Sequence, residues 1–88
     1  MVYVDPMYAN GWVLRGWEVK NCHLIADTDE ELHAFAEKLG MKRTWFQGGK
    51  TSHYDLTQRR RDEAVRLGAV ELTRRELALW IKAQRGTK

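Results

Sequence analysis

The sequence predicts a small α/β protein: a largely parallel sheet of about four strands with three helices, and room for an N-terminal hairpin. Three observations predict it. Residues 22–40, CHLIADTDEELHAFAEKLG, join a short apolar strand to an amphipathic helix. A second strand-then-helix unit closes the chain at residues 69–86, and a third helical pattern ending at Gly68 lies between them. Strands alternating with helices of about 10 to 15 residues imply βαβ units, and right-handed crossovers then gather the C-terminal strand ends on one edge.

Taken in order, Val2, Tyr3 and Val4 are strand formers, and Asp5-Pro6 stops them, because proline supplies no ladder donor and biases the residue before it towards an extended conformation. Residues 7–21, MYANGWVLRGWEVKN, carry turn signals at Asn10-Gly11 and Arg15-Gly16 and fit a hairpin or an aromatic flap equally well. Trp12 and Trp17 are read first as caps on a small core, and second as a surface for stacking a base or sugar. Leu24, Ile25 and Ala26 form the next strand. Thr28 and Glu31 then make the capping box that opens a helix, and Leu32, Phe35, Ala36 and Leu39 recur as its buried stripe. Gly40 stands where a left-handed residue ends a helix.

Residues 44–46, TWF, read as a third strand, followed by the polar loop QGGKTSH at 47–53. Its GGKTS is not a phosphate-binding P-loop, because Thr44 stands where that motif needs its first glycine. The next helix begins at Asp55 or Thr57 and ends at Gly68, with Leu56, Arg60, Ala64 and Leu67 on one face. Residues 69–72 are a fourth strand. Thr73 and Glu76 repeat the capping box, and Leu77, Trp80 and Ile81 mark a last helix ending near Gly86. The likeness of the two capped units reflects one shared solution to starting a helix after a strand, with too few matches for a repeat.

Eighty-eight residues with 43% hydrophobic and 31% charged content make one folded domain with a modest core, and homodimerisation is one way to bury more. No run approaches a membrane span of roughly 18 apolar residues. One cysteine excludes an intrachain disulfide, and the chain opens directly on VYVD, so a cytoplasmic location without a signal peptide is expected. The net charge of +3 is split: residues 1–41 hold three Lys/Arg against seven Asp/Glu, a net −4, and residues 42–88 hold twelve against five, a net +7. A basic half attracts phosphates.

The expected edge collects polar residues. Asp5 ends the first strand and Asp27 the second, while His53, Tyr54 and Asp55 follow the third; His23 shares a strand face with Asp27. Such a group serves acid/base chemistry in a metal-free polar pocket, or, as the second choice, binds a divalent metal through mixed nitrogen and oxygen ligands. Each member also has a plainer role. Asp27 and Asp55 suit helix caps, Asp5 a turn, His23 the core, and His33 a pairing with Asp29 or Glu37. Cys22 is a small core hydrophobe, since strand neighbours point to opposite faces and it cannot pair with His23. Arg60 lies on the apolar side of its helix, near Asp55 or with its stem in the core, while Arg59, Arg66, Arg74 and Arg75 suit an external basic surface.

The ordered blocks VYVD at 2–5, CH at 22–23, ADT-x-x-ELHAFA at 26–36, LG at 39–40, WF at 45–46, HYDL at 53–56 and GA at 68–69 resemble a family of short bacterial and phage proteins defined as a domain of unknown function. The resemblance covers most of the chain apart from residues 7–21. It implies that Asp5, His23, Asp27, His33, His53, Tyr54 and Asp55 occupy the family's recurrent polar positions, and it implies no reaction.

Two functions compete. One is a small enzyme or binding protein acting on a phosphate-bearing ligand such as a nucleotide, with His53, Asp55, Asp5 and Asp27 catalytic and His23, His33, Tyr54 and Arg59 contacting the ligand. The other is a non-catalytic accessory protein that binds nucleic acid or a protein through its basic C-terminal helices. The five residues Asp5, His23, Asp27, His53 and Asp55 are expected to converge on one solvent-accessible pocket. Cofactor and metal are left open.

Overall fold

The ten-residue strand β3 (Trp17–Ala26) is the spine of the sheet in the computed structural model, which describes residues 1–14, 17–49 and 51–86. Leu24 pairs with Val4 of β1 (Val2–Val4) and with Tyr54 of β4 (Tyr54–Leu56), so these strands take opposite edges of β3, both antiparallel. The front half of β3 pairs with β2 (Tyr8–Leu14), also antiparallel, with a register shift between Ala9 and Val13. Among the described residues only β5 (Val70–Glu71) runs parallel, beside β1.

The α/β class with three helices therefore stands, but the sheet is mostly antiparallel and not largely parallel. Two causes account for the difference. β2 and β3, consecutive in the chain, pair with each other as the expected hairpin does, and such a pairing is antiparallel by construction. Residues 44–46 are not a strand; Arg43–Trp45 is a single 3₁₀ turn, and the next strand comes eight residues later, led in by a bridge between Gln47 and His53. The expected turn at Arg15-Gly16 lies outside the described residues, as do the side chains of Trp12 and Trp17.

The helices begin where their threonines cap them. Thr28 Oγ1 accepts from the Glu31 amide at 3.2 Å ahead of α1 (Asp29–Lys38), and Thr57 accepts from the Arg60 amide ahead of α2 (Gln58–Arg66). Thr73 and Glu76 exchange both bonds of a capping box at the start of α3 (Arg74–Gly86). Asp55 is thus no cap: it sits inside β4. Gly40 and Gly68 end α1 and α2 at φ +73° and +107°, values that favour glycine.

Strand alternation divides the side chains into two layers. Val4, Cys22, Leu24, Tyr54 and Leu56 pack against Leu32, Phe35 and Ala36 of α1 and Ala64 of α2. The alternate positions face α3: the Tyr3 ring lies 5.8 Å from that of Trp80, and His23 and Ile25 line a cleft with Leu77 and Ile81. The sheet is covered by α1 and α2 on one face and by α3 on the other. No helix among the described residues is long and apolar enough to cross a membrane.

Candidate metal centre

The β3–β4 register sets His23 directly opposite Asp55, and side chains of directly opposed residues share a sheet face. His53 stands two positions before Asp55, where the Gln47 bridge fixes its backbone, and its ring meets the His23 ring edge-on at 4.8 Å and 86°. The β1–β3 pairing continues one step further and brings Asp5 alongside His23, with the Asp5 amide donating to the His23 carbonyl at 3.3 Å. Asp5, 3% exposed, then uses both carboxylate oxygens on that residue. Oδ1 accepts from the His23 amide at 2.6 Å, and Oδ2 accepts from Nδ1 of its ring at 2.8 Å.

These bonds decide which ring nitrogens face inward. His53 Nδ1 donates to the Thr51 carbonyl at 2.9 Å, so its Nε2 carries the lone pair in the neutral ring. His53 Nε2 lies 3.6 Å and His23 Nε2 3.9 Å from Asp55 Oδ1. Asp55 Oδ2 is taken by the Gln47 side-chain amide at 2.6 Å. One ligand atom from each of His23, His53 and Asp55 falls within 4.8 Å of the others. A tetrahedral ion with bonds of about 2.1 Å holds its ligands about 3.4 Å apart, so closing the set from 4.8 Å takes up to about 1.4 Å of approach. The donor set of two imidazoles and one carboxylate suits a first-row divalent ion and leaves coordination positions open. The Asp5 hydrogen bond raises the His23 pKa, outweighing the burial that lowers it.

Four of the five residues expected to converge do so: Asp5, His23, His53 and Asp55. Asp27 does not. It ends β3, whose C-terminus lies at the opposite end of the sheet from that of the antiparallel β1, and it accepts bonds from the Tyr3 hydroxyl and the Trp80 indole, each at 3.1 Å. Asp5 is nearly buried, so the pocket is not solvent-accessible at every member. His33 and Tyr54 lie on the α1 face, where they share a 2.8 Å hydrogen bond next to the Phe46 ring; His33 pairs with Tyr54 in place of Asp29 or Glu37. Arg59 is exposed on α2, beside Lys38 and Glu63. Arg60 Nη1 donates to the Leu39 carbonyl at 2.7 Å and helps close α1. Cys22 is fully buried, and burial pushes its thiol up to about 12.

The sequence reading missed Gln47 and Thr51, which orient Asp55 and His53. Nothing in a polar loop marks these two among their neighbours, because Thr51 acts through its carbonyl and Gln47 through a bridge that only the fold creates. Asn21, 1% exposed, lies two positions before His23 on the same strand face, and its carboxamide has no hydrogen-bond partner among the described residues.

No curated protein and no solved structure matches this chain. A family model matches residues 2–84, and its description is "Protein of unknown function (DUF4031)".

Proposed function

Because the chain belongs to the DUF4031 family, whose description assigns no activity, its function is read from the site, and we propose that it binds one divalent transition-metal ion and hydrolyses a phosphate-bearing small molecule. The observation that carries the reading is the convergence of His23, His53 and Asp55, each already oriented by a second group: Asp5, the Thr51 carbonyl and Gln47. A carboxylate or carbonyl on the far ring nitrogen is the usual companion of a metal-bound histidine, since it fixes the tautomer and aims the ring. A metal-free acid/base pocket has no need of both histidines with Nδ1 engaged and Nε2 turned towards one carboxylate.

An ion held there would lower the pKa of bound water to about 7, which makes hydroxide accessible at neutral pH. The chain's own residues supply the rest. Asp5 keeps His23 Nδ1 protonated, and Gln47 occupies one oxygen of Asp55 so that the other faces the histidines. Hydrolysis joins the oxygen of water to phosphorus, breaks the ester P–O bond and gives the departing oxygen a proton. The net +7 of residues 42–88 favours an anionic substrate. Binding of nucleic acid along the basic helices has less support, since Arg59 and the pair Arg74 and Arg75 belong to helices on opposite faces of the sheet. The working compartment we take to be a reducing cytoplasm, bacterial or that of a phage host.

The test is titration of chelator-treated protein with Co²⁺, read by visible d–d absorption, with Zn²⁺ as competitor. One equivalent is expected to bind, and His53→Ala and Asp55→Asn are each expected to weaken binding at least about tenfold. Absence of binding, or binding indifferent to both changes, rejects the reading.

A further inference from the structure

Outside β4, the 3₁₀ turn and the start of α2 enclose a groove of about 730 Å³, within the size range of small-molecule sites. Its walls include Met41, Trp45, Phe46 and Arg60, and Gln47 and Asp55 also border it. Trp45 is 43% exposed, a large apolar ring left open to solvent at the end of the 3₁₀ turn. The Arg60 guanidinium carbon stands 5.5 Å from the centre of that ring and Lys42 Nζ 5.9 Å. Arg60 is itself tied to the Leu39 carbonyl, so this cation is held in place over the indole. The groove therefore combines an aromatic platform with fixed positive charge, and it shares Asp55 with the candidate metal centre.

We propose that this groove is the substrate site, and that the substrate is a planar aromatic ring carrying a phosphate, as in a nucleoside monophosphate. The ring packs on Trp45 and Phe46, and the phosphate lies at the Asp55 end, beside the metal. Aromatic stacking tolerates any base, while the charge of Arg60 and Lys42 selects an anion over a neutral nucleoside. The inference rests on the metal reading, because without a cation the Asp55 carboxylate repels a phosphate.

The probe is adenosine 5′-monophosphate, titrated by calorimetry into Zn²⁺-loaded and chelator-treated protein, with adenosine and ribose 5-phosphate as ring-only and phosphate-only controls. Binding is expected to be strongest for the intact nucleotide on the loaded protein, and about tenfold or more weaker for either fragment. Trp45→Ala is expected to weaken nucleotide binding about tenfold while leaving the Co²⁺ spectrum unchanged, and Trp45→Phe to restore part of the loss. A loaded protein that ignores the nucleotide, or binds it equally well after Trp45→Ala, overturns the groove. Equal binding with and without zinc overturns the link to the metal. Failure of the Co²⁺ titration is a separate result: it rejects the metal centre and, with it, the phosphate's place at Asp55, whereas loss of nucleotide binding with the Co²⁺ spectrum intact rejects the groove alone.

Discussion

Asp5 ends a strand before a proline, and the same position lets it hold both the backbone and the ring of His23. A turn-shaping aspartate would need neither bond. Asp5→Asn keeps the shape and removes the charge that favours a protonated Nδ1, so metal affinity is expected to fall about 10- to 100-fold. Co²⁺ titration measures that fall, and thermal unfolding of the metal-free variant separates it from loss of folding. Part of this site was legible: the run His53, Tyr54, Asp55 after a glycine-bearing loop is poorly explained by packing, whereas Asp5 and His23 each had a plainer role as turn and core residue. The second partners were not legible, because a backbone carbonyl at Thr51 leaves no mark in a sequence.

At the scale of elements, capping was legible and direction was not. Thr28 and Thr73 each precede a glutamate by three positions, and that spacing alone located two helix starts. Thr57 performs the same service for α2, worth about 1 kcal/mol for such a cap, so Asp55 was free to serve in β4. A run such as Leu24, Ile25, Ala26 identifies a strand but is the same read up or down the sheet. The placement of Asp27 beside Asp5 failed on that point: parallel strands would have brought the two together, and the antiparallel pairing of β1 with β3 sends them to opposite ends. Asp27 instead ties α3 to the sheet. Burial on its own would raise its pKa, but the Trp80 indole, the N-terminal ammonium and the Tyr3 hydroxyl outweigh it, and the value is lowered. A carboxylate lowered on folding stabilises above its unfolded pKa of about 4, and the stabilisation is lost as pH falls through the folded value. Trp80→Phe removes one donor and is expected to flatten the loss of stability below about pH 4, as read by urea unfolding across the acid range.

For the molecule as a whole, the order of the chain matters as much as its shape. Asp5, His23, Gln47, Thr51, His53 and Asp55 all precede α2, whereas β5 must return from position 70 to pair with position 3. Closing so long a span costs chain entropy before any contact rewards it. The residues of the proposed metal centre are thus all present in the chain before Val70–Gly86. In native-state hydrogen exchange, amides of Val70–Glu71 and Arg74–Gly86 are expected to open at lower free energy than those of Cys22–Leu24, which pair with β4 and, at Leu24, with β1 as well. Zinc is expected to slow exchange at Cys22–Leu24 more than in α3, and equal slowing throughout would show that the sheet and its last helix open as one unit. If the proposed centre takes an ion, a chain built in this order has its full ligand set while its last strand and helix are still finding their place.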